Sequence, residues 1–111
     1  MTQFTPTGAF REVGDMTMLM VCCESGLHLK VVEELEALEA PGYTVCENLK
    51  GMGCTGRKDG SAVWPGNSVV VHTCVEDELV PGIVDRVREA RDEYRKRPGC
   101  AVFAVPVQKL L

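Results

Sequence analysis

The chain of 111 residues is long enough for one buried core and too short for two. Its formal net charge of −4, from 12 basic and 16 acidic residues, argues against nucleic-acid binding, which needs a broad basic surface to neutralise phosphates. With 45% hydrophobic and 25% charged residues the composition is that of a globular domain; the longest apolar run, Met16 to Cys23 with Thr17 inside it, is far short of the roughly 20 residues that cross a bilayer.

Residues 1–15, MTQFTPTGAFREVGD, are read as an N-terminal extension. They lack the basic start and apolar stretch of a secretory signal, so the expected location is the cytoplasm. The six cysteines are accordingly expected as thiols, in a chain large enough to fold without disulfides. Residues 16–23, MTMLMVCC, predict the first strand, which Glu24-Ser25-Gly26 breaks. Residues 27–40, LHLKVVEELEALEA, predict an amphipathic helix with Leu29, Val32, Leu35 and Leu38 as its apolar positions. Glu33, Glu34 and Glu36 form its solvated side, and Pro41-Gly42 stops it.

Residues 43–49, YTVCENL, alternate Tyr43, Val45 and Leu49 with Thr44, Cys46 and Asn48, the period of a half-buried strand. Residues 67–74, NSVVVHTC, are β-branched and bounded by turn residues, predicting a third strand. The stretch 75–97 then carries acids at its start and bases at its end, as a helix dipole favours. Val80, Ile83 or Val84, Val87 and Tyr94 would form its apolar stripe, with Pro81 in its first turn and Arg97-Pro98-Gly99 ending it. CAVFAV, 100–105, is the fourth strand, limited by Pro106.

This order predicts an α+β, ferredoxin-like βαββαβ sandwich: a four-stranded antiparallel sheet with two helices on one face. The second face would be apolar yet uncovered within the chain, and is expected to pack against further copies.

For chemistry, the metal donors to consider are six cysteines, His28 and His72, with no CxxC pair among them. Adjacent Cys22 and Cys23 point to opposite faces of their strand, whereas His72 and Cys74 share one. A metal-binding or metal-tolerance alternative would use His72 with Cys74, or with Cys54 across an assembly of copies. No GxSxG elbow or spaced Cys/His dyad points to nucleophilic catalysis, so no enzyme is expected. Trp64 sits beside Pro65-Gly66 and reads as loop packing or a partner anchor. KGMGCTGRKDG, 50–60, is different: its four glycines allow backbone N–H groups to converge on an anion, and Arg57 and Lys58 add charge. It is not a Walker loop, lacking GxxxxGK[ST] before a helix.

Three stretches in order, GYTVCENLKGMG (42–53), VEDELVPGIVDRV (75–87) and VFAVPVQKLL (102–111), resemble the PII nitrogen-regulatory superfamily. The resemblance covers residues 16–111 and implies a homotrimer with adenine nucleotides in clefts between subunits. It assigns nucleotide contacts to Thr44, Lys50, Gly51, Met52 and Gly53, and places Thr73 by the base. The opposite wall would be the B-loop, 95–100, here Arg95, Lys96, Arg97, Pro98, Gly99 and Cys100. The T-loop, 50–66, is much shorter than usual and lacks a tyrosine for uridylylation, so signalling by ATP and 2-oxoglutarate through a long T-loop is not expected. The chain is more similar to divergent PII-like proteins linked to bicarbonate uptake, carboxysomes or other transporters. These bind AMP, ADP or cyclic AMP. The expected function is therefore a signal-transduction protein with AMP or ADP, or else ATP or cyclic AMP, as effector and no covalent cofactor. It would control a transporter or enzyme, with Arg57 and Lys58 available to bicarbonate or another anion.

Overall fold

The computed structural model describes residues 2–4, 10–12, 16–49, 51–53, 56–58 and 68–111, with side chains over 16–47 and 68–111. Two short strands, β1 (Thr2–Phe4) and β2 (Phe10–Glu12), pair antiparallel ahead of residue 16. There follow β3 (Met16–Glu24), α1 (Leu27–Ala37), β4 (Thr44–Leu49), a ribbon of β5 (Gly51–Gly53) and β6 (Gly56–Lys58), and β7 (Ser68–Glu76). A single 3-10 turn (Asp77–Leu79) leads into α2 (Val80–Asp92), and β8 (Cys100–Val107) closes the order. The main sheet runs β4-β7-β3-β8 with every pairing antiparallel, the expected ferredoxin-like arrangement.

Period-two alternation in the two central strands builds the core. Thr17, Leu19, Val21 and Cys23 of β3, with Val69, Val71, Thr73 and Val75 of β7, are buried under the helices. Leu27, Val31 and Leu35 of α1 and Ile83, Val87 and Ala90 of α2 complete one apolar cluster. Thr17 is the one polar residue at that end of β3's buried row, and its hydroxyl donates to Asp77 Oδ1 at 2.6 Å, fastening β3 to the turn before α2.

Both helical stripes differ from the sequence expectation. Leu29 is 65% exposed and α1 buries Leu27, His28, Val31 and Leu35 instead. The reason is geometric: steps of three residues turn about 300° each, so Leu29 and Leu38, nine apart, face opposite sides of the cylinder. Steps of four keep Leu27, Val31 and Leu35 together. In α2, Ala90 follows Val87 on the buried side, and the helix ends at Asp92, before Tyr94, which is 41% exposed. Ala90 is the last residue that α2 buries, and the helix gives way before Tyr94 could add to its apolar stripe. Pro81 does lie in the first turn of α2.

Strand β8 continues through Pro106 to Val107, beyond its expected end. It is an edge strand, and there a proline ring costs no ladder bond if its missing N–H faces outward; Pro106 lies opposite Thr17 of β3. On the second face of the sheet Met20 lies opposite Phe103 and Met18 opposite Val105. Phe103 is 57% exposed, and no described element of the chain covers this face.

Two predictions concern the core and the turn into α1. Gly26 has φ +102°, and a Cβ there would meet nothing within 4 Å, so backbone strain alone opposes substitution. Gly26→Ala is expected to cost about 1–2 kcal/mol in chemical denaturation; an unchanged midpoint would contradict the strained turn. The Cys23 thiol is pushed from 9.0 up to about 12 by burial first, then by Cys100, Cys22 and Glu24. A thiol that ionises at 9.0 when unfolded contributes stability that is complete below that pH and is lost as pH rises toward 12. Thermal stability should therefore fall more steeply above pH 9.0 in the natural chain than in Cys23→Ala, and equal slopes would refute it.

Candidate functional site

Beside the edge strand β4, an open cleft of about 610 Å³ lies between the turn 41–43 and the C-terminal residues 107–109. Its walls include Gly42, Tyr43, Thr44, His72, Cys74 and Lys109. Thr44 lies directly opposite His72 on the open face, because β4 begins where β7 has four residues left to run.

The turn that forms the rim is fixed from two sides. Thr73, 2% exposed, donates its hydroxyl to the Gly42 carbonyl at 2.6 Å. The Tyr43 hydroxyl donates to Glu36 Oε1 at 2.7 Å, which holds the tyrosine proton and raises its pKa, this bond outweighing desolvation and the carboxylate's charge. Thr73 also lines the cleft, and its hydroxyl is engaged by the main chain.

Farther along β4, His28 in the first turn of α1 accepts the Gly26 N–H at Nδ1, 3.1 Å, and its Nε2 faces Glu47 Oε1 at 3.2 Å. An imidazole that accepts at Nδ1 carries its proton on Nε2, so it donates to Glu47 and clamps β4 to α1 just before the chain enters the β5–β6 ribbon. The sequence offered His28 only as a metal donor. Its partner lies 19 residues away, and only the packing of β4 beside α1 brings the two together.

The remaining expected residues fall elsewhere. Gly51, Met52 and Gly53 form β5, with Gly51 opposite Lys58, Met52 opposite Arg57 and Gly53 opposite Gly56. Lys50, Cys54 and Trp64 lie outside the described residues. Arg95, Lys96 and Arg97 are exposed in the α2–β8 connection, and Arg97 Nε pairs with Asp92 Oδ1 at 3.2 Å. Gly99 is pinned to the end of β3: its N–H donates to the Glu24 carboxylate, and the Glu24 N–H donates to its carbonyl at 3.1 Å.

Residues 95–99 therefore meet the sheet at the Glu24 end of edge strand β8, while Thr44 starts edge strand β4 nearer the other end. Three strand spacings of about 4.8 Å separate the two edges, and about 13 Å of strand separates Glu24 from Met20, which is level with His72 and Thr44. Within one chain the cleft and the cations Arg95, Lys96 and Arg97 are not neighbours.

His72 and Cys74 share the open face of β7, as expected. Among the described residues, no group of three or more His, Cys, Asp or Glu is placed to hold a metal.

Thr73→Val removes the hydroxyl and leaves the Gly42 carbonyl without that donor. A loss of about 1–3 kcal/mol in urea unfolding is expected, and a neutral substitution would show that the bond does not secure the rim.

The nitrogen regulatory protein P-II family matches residues 16–111. A comparison with curated proteins finds no match. Among solved structures, CPII, a nitrogen regulatory PII-like protein from Thiomonas intermedia K12 bound to ADP, AMP and bicarbonate, is similar with a TM-score of 0.70 and 20% identity. The match covers 86% of this chain and 88% of that one. PII of Arabidopsis thaliana bound to citrate has a TM-score of 0.64 at 15% identity, over 85% and 78% of the two chains. A PII-like signaling protein from Thermus thermophilus has a TM-score of 0.62 at 27% identity, over 84% and 87%.

Proposed function

Because the chain belongs to the nitrogen regulatory protein P-II family, we propose that it is a non-catalytic sensor, a homotrimer that binds AMP or ADP between neighbouring copies. One observation carries this reading: Thr44 begins one edge strand of the sheet, β4, whereas Arg95, Lys96, Arg97 and Gly99 precede the other edge strand, β8, so these two sets of expected residues lie apart within one chain. A second copy that sets its β8 edge beside the β4 edge of the first would bring its Arg95, Lys96, Arg97 and Gly99 toward Thr44 and the cleft. The cations then meet phosphate and the cleft takes the base. The apolar second face, with Met18, Met20, Phe103 and Val105, supplies the association, since burying it removes large side chains from water.

CPII carries ADP, AMP and bicarbonate on the same fold, which favours the adenine mononucleotides and makes bicarbonate the anion to test at Arg57 and Lys58. Ligand binding would alter the short 50–66 loop and, through it, affinity for a transporter or enzyme. Such coupling is reciprocal: the partner must raise nucleotide affinity by the factor by which nucleotide raises its own.

Calorimetry is expected to give one AMP or ADP per chain with a dissociation constant on the order of micromolar. Replacing Arg95, Lys96 and Arg97 together by Ala should weaken binding at least about tenfold by removing charge-assisted phosphate contacts. A folded trimer that takes up neither nucleotide would overturn the proposal. In sedimentation, Phe103→Glu is expected to yield folded monomers, and a persistent trimer would place the interface elsewhere.

A further inference from the structure

A pair of cysteines lies on the helix-covered side of the sheet, away from the cleft. Cys23 of β3 and Cys100 of β8 are directly opposite one another, and both are thiols. The next opposed pair, Glu24 and Gly99, is joined by a main-chain hydrogen bond from the Glu24 N–H to the Gly99 carbonyl at 3.1 Å. In an antiparallel ladder hydrogen-bonded and non-hydrogen-bonded pairs alternate, so Cys23 and Cys100 occupy a non-hydrogen-bonded position. There Cα atoms approach to about 4.5 Å and side chains are closest, within the span a disulfide bridges. Cys22 and Cys46 belong to the other face and cannot compete: Cys22 is opposite Ala101 and Val70, and Cys46 is opposite Val70.

The two thiols differ in access. Cys23 is 5% exposed and packed in the core, where burial keeps it protonated. Cys100 lines a cavity of about 220 Å³ beneath α2, together with Val84, Val87, Arg88, Arg91 and Val102. Arg88 pairs with Asp85 at 3.0 Å and Arg91 with Asp92 at 3.1 Å, each through one nitrogen of a guanidinium that carries five N–H donors. The small volume suits a small oxidant better than a protein disulfide.

We propose that Cys23 and Cys100 are a peroxide-reactive dithiol, in which Cys100 is oxidised first and Cys23 resolves it to a cross-strand disulfide. The Cys100 sulfur attacks one oxygen of a small hydroperoxide; the O–O bond breaks, a sulfenic acid forms, and the second oxygen leaves as water or an alcohol. The Cys23 sulfur then attacks the Cys100 sulfur, the S–O bond breaks, and the hydroxyl departs with the Cys23 proton as water. Two thiols lose two electrons in all, and the peroxide gains them. The bond would fasten the B-loop's last residue to β3. This reaction is independent of whether a nucleotide binds.

The test is brief exposure of the full chain to hydrogen peroxide, followed by alkylation and peptide mass spectrometry without reductant. The expected result is loss of the Cys23 and Cys100 thiols together, a linked Cys23–Cys100 peptide that dithiothreitol reverses, and the same link in Cys22→Ser. In Cys23→Ala, which keeps the core apolar, dimedone should trap Cys100 as its sulfenic acid; in Cys100→Ser, Cys23 should remain alkylatable after peroxide. A Cys100 linked to any other cysteine, oxidation of Cys100 to sulfinic acid while Cys23 stays alkylatable in the natural chain, or no reaction at either thiol would overturn the assignment.

Discussion

The pairing of β3 with β7 at the centre of the sheet governs the rest of the molecule. Nine residues of each strand are in register, and their alternation sends one apolar row under the helices and a second, methionine-containing row to the opposite side. A shift of β3 by one residue would turn its row over and put Met18 and Met20 beneath the helices in place of Leu19 and Val21. Among the described residues two helices cover one face only, which leaves the second row and the two outer strands as surfaces for other molecules. The proposed trimer and the proposed nucleotide site both follow from that single asymmetry.

The fold was legible because its signals are local. Apolar runs bounded by Gly, Pro and Ser marked the four main strands, and the order of elements restricted the topology to a familiar arrangement. What sequence spacing misjudged was rotation about the helix axis: Leu29 stands three residues from an apolar neighbour, yet faces water because α1 turns on its four-residue spacing. The end of α2 was misjudged for a related reason. The polar stretch 93–97 can be drawn as helix, but burial ceases at Ala90. Pro106 reads as a strand stop until β8 is known to be an edge, where the missing donor is harmless.

The site was legible in parts. Thr44 and His72 are cross-strand neighbours and share the cleft with Thr73, although their sequence separation gives no hint of this. The contributions of Tyr43 and Glu47 depend on contacts with α1 that no motif encodes. Cys23 and Cys100 were visible only as two of six cysteines; their relationship is a product of register across β3 and β8. In each case the information lies in pairing between distant segments, which composition and periodicity do not carry.

The central claim, that one ligand site is shared by two copies, is most directly tested by complementation. One variant, Thr44→Trp, fills the cleft on the β4 edge; the other replaces Arg95, Lys96 and Arg97 by Ala on the β8 edge. Neither should bind nucleotide well alone. Co-assembled trimers, purified through a tag on each variant and titrated with ADP, are predicted to regain one intact site per mixed trimer, because a cyclic arrangement of two kinds of subunit contains one junction with both walls unaltered. Mixed trimers that bind no more ADP than their parents would contradict a site shared between copies.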